Sequence, residues 1–193
     1  MKKELQKNKA CFLDRDGVLI EERNYISSPS EAEIFPETIQ ALKILRKNGF
    51  KIIVITNQGG VAKGYYKEES IFDVHKEIDR QLAKAKLKID KYYYCPHHPE
   101  GMVKKYSVAC RCRKPAPGLI LDAVKDFNID LSKSFLIGDK VSDIEAAQNA
   151  GCSAILVETG HGQEHVSNAR IKNIIVTKNI LEAVKLFTGS NQN

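Results

Sequence analysis

The chain lacks any run of roughly 18 apolar residues, the length a bilayer-crossing helix needs, so no membrane partner is expected of its 193 residues. A secretion signal is also missing. Met1 to Lys9 carries the charge of a signal's first segment, but no apolar core follows before the first strand. Residues 1–9 are therefore expected to form a flexible tail, and the cytoplasm is the expected location. There is no disulfide framework: five cysteines are an odd number, and without a secretion signal they read as reduced thiols. No arginine-rich stripe, nucleic-acid motif, internal repeat or low-complexity linker occurs. The net charge of +6 suits an anionic ligand, but the lysines scatter over helices, as at Lys43, Lys47, Lys76, Lys84, Lys86 and Lys88. They read as solvated faces, and no nucleic-acid partner is expected.

What the chain does have is concentrated at the ends of apolar runs. Cys11 to Leu13 ends abruptly in Asp14-Arg15-Asp16-Gly17. Such a run suits a buried strand of a parallel sheet, and the two acids then stand at its carboxyl end, where open α/β sheets bind ligands. Two carboxylates so placed divide labour between attack or metal binding and proton transfer. Gly17 permits a sharp turn. An EF-hand is a poor alternative, because its glycine belongs at position 6 of the loop and Gly17 falls at position 4.

Three further stretches follow the same plan. Ile52 to Ile55 ends in Thr56-Asn57-Gln58-Gly59-Gly60; Arg113-Lys114 precedes Pro-Ala-Pro-Gly and a helical pattern; Phe135 to Ile137 ends in Gly138-Asp139-Lys140 and then Asp143. The set delivered by the four stretches is carboxylate, carboxylate, hydroxyl, ammonium and carboxylate. Acids bind Mg²⁺ while threonine and lysine hold phosphate oxygens, which is a phosphoryl-transfer site. The four motifs, in this order, resemble those of the haloacid dehalogenase superfamily of phosphatases. That resemblance implies a doubly wound, mostly parallel sheet in a Rossmann-like core. Asp14 is then the nucleophile, Asp16 the acid–base, and Thr56 and Lys114 stabilise the phosphoryl group. Mg²⁺ is then held by Asp14, the main-chain carbonyl of Asp16, and Asp139.

The remaining cysteines add a second feature. Cys95-Pro96-His97 and Cys110-Arg111-Cys112 make two close pairs of soft ligands around a weakly patterned loop, the composition of a Cys₃His zinc site. His98 competes with His97 as ligand or stands at the surface. Cys11 and Cys152 read as small core residues. Cys-Pro-His-His-Pro, then Cys-x-Cys-Arg-Lys-Pro-x-Pro-Gly, together with Thr56-Asn57-Gln58-Gly59-Gly60-Val61-Ala62-Lys63-Gly64, is similar to the D-glycero-D-manno-heptose 1,7-bisphosphate phosphatases, relatives of histidinol-phosphate phosphatase. In that family the zinc ligands are the positions of Cys95, His97, Cys110 and Cys112. The resemblance implies a sugar bisphosphate substrate, contacted by Glu22, Arg23, Asn24, Tyr25, Thr56, Asn57, Gln58, Gly59, Arg113, Lys114 and Lys140. Arg113 is then the reader of the non-reacting phosphate. Lys140 either touches substrate or steadies the carboxylates. Asp143 orients Lys114 or a metal-bound water, or is simply a helix N-terminal acid. Ile20 and Asn24 depart from the family's usual asparagine and glycine, which leaves the sugar open but not the hydrolysis.

Helices are expected over Pro36 to Asn48, Glu68 to Lys88, Leu119 to Phe127, Asp143 to Ala150 and about Ile180 to Phe187. Strands are expected at Tyr92 to Tyr94, Ala154 to Val157 and Ile174 to Val176. The Glu68 helix should bury Ile71, Val74, Ile78, Leu82 and Ala85, with His75 at its boundary and Tyr92 to Tyr94 as aromatic core. Neither interval between motifs has room for a cap domain. One phosphatase domain is thus expected over residues 10–188, monomeric, with an open site, a zinc loop at 95–112, and a frayed end at 189–193. A zinc-containing nucleic-acid module, and a phosphomutase or phosphate sensor built on the same fold, are the readings from other classes, and histidinol phosphate is the competing substrate.

Overall fold

The apolar runs become neighbouring strands of one sheet. In a computed structural model that describes residues 7–171 and 173–190, six parallel strands alternate with helices. The strands are β1 (Lys9–Leu13), β2 (Phe50–Asn57), β3 (Lys91–Cys95), β4 (Phe135–Gly138), β5 (Ser153–Val157) and β6 (Ile175–Thr177). Their order in the sheet is β3-β2-β1-β4-β5-β6. The helices are α1 (Thr38–Lys47), α2 (Glu68–Ala83), α3 (Gly118–Phe127), α4 (Val141–Ala150), α5 (Gly162–Ile171) and α6 (Ile180–Thr188).

Alternation along the strands divides the core into two layers. Cys11, Leu13, Ile52, Val54, Phe135 and Ile137 face one side with Leu42 and Leu45 of α1, Val74 and Ile78 of α2, and Val184 of α6. Ala10, Phe12, Ile53, Ile55 and Leu136 face the other with Ile120 and Ala123 of α3 and Ala146 and Ala147 of α4. Both faces are covered, which is why these strands read as unbroken apolar runs. The strand order reverses between β1 and β4, so the carboxyl ends of β1, β2 and β4 border the crevice that such sheets use for ligands.

Several boundaries differ from expectation. β1 starts at Lys9, and Asn8 is tied to the sheet's far end by its N–H to Asn128 O (2.9 Å) and by accepting from Asp130 N (2.7 Å). The expected tail therefore does not extend to residues 8 and 9; residues 1–6 lie outside the described residues. α2 stops at Ala83, not at Lys88. The chain turns there, with Lys86 in the left-handed region, and the Leu87 N–H closes onto Leu82 O (3.1 Å) so that Leu87 and Ile89 can still reach the core. α5 was not expected at all. Its sequence has little amphipathic patterning, and Ala169 alone packs into the small cluster with Ile144 and Leu156. At the other end Gly189 caps α6 in the left-handed region and Ser190 N donates to Lys185 O (3.0 Å); residues 191–193 lie outside the described residues.

β3 is an edge strand. Its tyrosines are half-buried and their hydroxyls reach polar partners: Tyr92 to Asp79 (2.8 Å), Tyr93 to Asp126 (2.7 Å) and Tyr94 to Glu68 (2.9 Å). They are amphipathic edge residues, not interior core. His75 is not at a boundary. It is buried and stacked on Tyr92, with ring centroids 4.1 Å apart. Burial, reinforced by the nearby Arg15 guanidinium, pushes it down from 6.5 to about 3.

The unfolded chain takes up a proton at this imidazole below 6.5, whereas the folded chain refuses it until about 3. Stability is therefore lost as pH falls through that window, by about 1.4 kcal/mol per pH unit from this group. His75→Phe keeps a ring against Tyr92 and removes the effect. In urea unfolding the variant should match the wild type near pH 8 and gain on it steadily between pH 6 and 4; parallel acid slopes would contradict the assignment.

Candidate active site

Five charged side chains are buried where β1, β2 and β4 end: Asp14, Arg15, Lys114, Asp139 and Asp143. Asp14 follows β1 directly, its N–H continuing the ladder to Ile137 O (3.0 Å). Asp139 follows β4, and Asp143 lies in the first turn of α4, where its Oδ2 accepts the Lys140 N–H (3.0 Å). Lys114 comes from the segment before α3. Its Nζ lies 3.0 Å from Asp14 Oδ2, 2.5 Å from Asp143 Oδ1 and 2.9 Å from Ile55 O. An ammonium has three protons, so all are engaged. Asp143 thus does two of the things expected of it: it pairs with Lys114 and it caps α4.

The electrostatics are those of too many acids in too little water. Burial, with repulsion from Asp143 and Asp16 partly offset by Lys114 and Lys140, raises Asp14 from 3.8 to about 6. Burial and repulsion from Asp14 and Asp143 raise Asp139 to about 8. Burial works against the Lys114 ammonium, but Asp14 and Asp143 hold it above its ordinary range. Lys140 is only partly buried; its burial works against the ammonium, but Asp139 and Asp14 hold it above its ordinary range.

These acids fit a hard divalent cation. One oxygen each of Asp14, Asp139 and Asp143 lies within 4.8 Å of the others. Asp139 accepts the His161 N–H on Oδ2 (2.9 Å), while its buried Oδ1 has no protein partner. The backbone leaves room for this carboxylate: a Cβ on Gly17, which sits at φ +81°, or on Gly160 would fall onto it. An oxygen-only donor set with an orphaned carboxylate oxygen suits Mg²⁺. A second cluster fits a soft ion. Cys95 Sγ, Cys110 Sγ, Cys112 Sγ and His97 Nδ1 lie within 4.8 Å of one another. Their S–S edges of 3.1 to 3.5 Å are slightly shorter than the ~3.7 Å of a tetrahedral thiolate site with ~2.3 Å bonds. His98 is outside this cluster.

Beside the buried carboxylates lies a cleft of about 430 Å³, which Asp16 and Lys114 line and Asp14, Thr56, Asp139 and Asp143 do not. Its lining includes the expected Asp16, Glu22, Asn24, Tyr25, Asn57, Gln58, Gly59, Arg113, Lys114 and Lys140, together with Lys63, Tyr66, His98, Ser142 and His161. Glu22 Oε2 faces Lys140 Nζ at 3.3 Å and His161 Nε2 at 3.6 Å. At the outer end Lys63 Nζ donates to Tyr25 Oη (2.7 Å). Arg113 Nη1 donates to His97 O (3.2 Å), tying this arginine to the soft-ligand loop. His98, expected as a competing ligand or a surface residue, faces the cleft instead; partial burial and the cations Arg113 and Lys63 lower its basicity.

Three expected substrate contacts have other employment. Arg23 is absent from the cleft lining and pairs with Glu21 (2.9 Å) and Glu33 (2.7 Å) at the surface. Asn57 clips the backbone of Lys114, donating to its carbonyl and accepting its N–H, both at 3.0 Å. Gln58 is buried and bonded on every side: Nε2 donates to Asp16 Oδ2 (2.8 Å) and Thr56 Oγ1 (2.8 Å), while Oε1 accepts from Arg15 Nη2 (2.9 Å) and Tyr66 Oη (2.7 Å). Arg15, only the variable position of the motif in sequence, is fully buried. Its Nε and Nη2 grip both oxygens of Asp16 at 2.9 and 3.0 Å. Lys63, Tyr66, Ser142 and His161 were not anticipated. His161 had a usable signal, since it lies in the short segment after β5, four residues beyond Val157 and at the same end of the sheet as Asp14 and Asp139; Tyr66 had none.

Comparison with known proteins agrees with this geometry. Residues 111–183 match the HAD-hydrolase-like family. The chain is 42% identical over 173 residues to a D-glycero-alpha-D-manno-heptose-1,7-bisphosphate 7-phosphatase of Photorhabdus laumondii, covering 89% of this chain and 94% of that protein. It is 39% identical over 152 residues to the D-glycero-beta-D-manno-heptose-1,7-bisphosphate 7-phosphatase of Escherichia coli K12, covering 78% and 80%. A solved D,D-heptose 1,7-bisphosphate phosphatase from B. bronchiseptica, complexed with magnesium and phosphate, superposes with a TM-score of 0.84 at 29% identity over 95% of this chain and 99% of its own.

Lys114→Met tests the electrostatic account. It strands two buried carboxylates, Asp14 and Asp143, without their shared ammonium, and the urea-unfolding free energy should fall by about 3 kcal/mol or more. Lys91→Ala, at the exposed pair with Asp126, should leave the unfolding curve nearly unmoved. Comparable losses in the two variants would mean that Lys114 carries no special load.

Proposed function

This chain belongs to the D-glycero-D-manno-heptose 1,7-bisphosphate 7-phosphatase family of haloacid-dehalogenase-like hydrolases, and on that premise we propose that it removes the 7-phosphate of such a bisphosphate in two steps through an aspartyl phosphate. The observation that carries the reading is the placement of Asp14 and Asp16 at one strand end, with Lys114, Asp139 and Asp143 buried around the first of them. Asp14 attacks phosphorus, and the ester P–O bond breaks as Asp16 gives a proton to the leaving oxygen. Asp16 then takes a proton from water, which attacks the same phosphorus and returns Asp14 as a carboxylate with release of inorganic phosphate.

Mg²⁺, when held by Asp14 and Asp139 with the Asp16 carbonyl, supplies charge neutralisation between nucleophile and phosphate. Lys114 and Lys140 add positive charge beside the acids. Thr56 offers a hydroxyl proton to a phosphoryl oxygen. Zn²⁺ suits the Cys95, His97, Cys110 and Cys112 cluster as a structural ion, and its loop leads within two residues to Lys114. Arg113 is the reader of the second phosphate, because its planar fork faces the same cleft. The protein is read as a cytoplasmic monomer.

Kinetics on both anomers of heptose 1,7-bisphosphate and on histidinol phosphate, with Mg²⁺, test the substrate. The bisphosphate should have the higher kcat/KM by a wide margin, and Asp14→Asn should abolish turnover of it; preference for histidinol phosphate would overturn the sugar assignment. Arg113→Ala should lower kcat/KM for the bisphosphate by about 2–3 kcal/mol of transition-state stabilisation, and much less for a small aryl phosphate. Equal losses would move Arg113 to the reacting phosphate. Elemental analysis of unchelated protein should find about one zinc per chain; none would remove the Cys₃His site.

A further inference from the structure

The orientation of the Gln58 amide is forced. A guanidinium only donates and a carboxylate only accepts, so Oε1 must face Arg15 and Nε2 must face Asp16. Flipping the amide would set donor against donor and acceptor against acceptor. The second Nε2 proton then goes to Thr56 Oγ1 at 2.8 Å. That bond fixes the Thr56 hydroxyl as an acceptor from the protein, and its own proton has no acceptor among the described residues. The second lone pair of Oε1 takes the Tyr66 hydroxyl at 2.7 Å. Tyr66 reaches it because residue 60 is glycine: a Cβ there would lie inside the tyrosine ring. With two donors and two acceptor sites all engaged, Gln58 has nothing left for substrate.

We infer that Gln58 is a positioning residue that joins the two catalytic functions of the cleft. Through one amide it steadies Asp16, already gripped by Arg15, and fixes Thr56 so that its hydroxyl proton points to the phosphoryl group. This rests on the phosphatase reading and adds to it a residue that acts on catalysis without touching the substrate. The consequence is specific. Loss of Gln58 should harm every phosphomonoester alike, since the reacting phosphate and the proton-transfer group are common to all. A substrate contact would instead be felt in KM and only on the natural substrate.

The test is Gln58→Met, assayed on p-nitrophenyl phosphate, glycerol phosphate and heptose 1,7-bisphosphate. The expected result is a kcat lower by about ten- to a hundredfold on all three, with KM within about twofold of wild type. The same change made in Thr56→Val should cost at least fivefold less, because part of its effect passes through Thr56. A raised KM confined to the bisphosphate, with normal kcat on the aryl phosphate, would overturn the proposal by making Gln58 a substrate contact. Effects that simply multiply in the double variant would break the link to Thr56. If Gln58→Met does not fold by circular dichroism, Tyr66→Phe removes one bond of the same amide and decides the matter. It should lower kcat about two- to fivefold at constant KM, and an unchanged kcat would overturn the proposal. Wild-type protein inert on all three esters with Mg²⁺ present would instead overturn the phosphatase reading itself.

Discussion

One buried ammonium makes the rest of this site possible. The ends of β1 and β4 and the start of α4 bring Asp14, Asp139 and Asp143 together out of water. Carboxylates at such spacing repel, and burial adds to the cost. Lys114 sits against two of them and against a strand carbonyl, with no proton to spare. It reaches that position from two directions. Asn57, the last residue of β2, clips its backbone, and the soft-ligand loop delivers it two residues after Cys112. The loop and the sheet thus converge on the same residue, although the loop lies outside the carboxylate cluster.

The site has a second set of fixed bonds, separate from the first. Arg15, Asp16, Gln58, Thr56 and Tyr66 form a connected pattern of donors and acceptors. Lys114 restrains Asp14, the proposed nucleophile, while this pattern restrains Asp16 and Thr56, the proposed proton-transfer acid and phosphate-binding hydroxyl. Two neighbouring aspartates are thereby put under different control, one facing an ammonium and a cation site, the other a guanidinium and an amide.

Much of this was readable in the residues. Strands buried on both faces appear as unbroken apolar runs, and the polar residues that stop them gather at the carboxyl end of the sheet, so Asp14, Thr56 and Asp139 stood out. The Cys/His pairs stood out because few other roles bring four soft ligands into one loop. What was hidden depends on side-chain direction. Nothing in Thr56-Asn57-Gln58 says that Asn57 turns to the Lys114 backbone and Gln58 to Asp16, so both looked like substrate contacts. Arg15 drew no reading as the variable position of its motif, although the two flanking acids offered a partner for burial. Arg23, in a run of charges, looked like a ligand and is occupied by Glu21 and Glu33. The early end of α2 was masked by Ala85, Leu87 and Ile89, which keep packing on the core after the helix has stopped.

The central claim is that the carboxylate cluster is held under repulsion that a divalent cation relieves. It is tested most directly by thermal unfolding of wild type and Asp139→Asn above pH 8, with zinc retained, in the presence and absence of Mg²⁺. The account predicts that without Mg²⁺ the variant melts higher than wild type, because one buried like charge is gone. Mg²⁺ should then raise the wild-type melting temperature and barely move the variant's. A wild type indifferent to Mg²⁺, or a variant that melts lower than wild type in its absence, would contradict it.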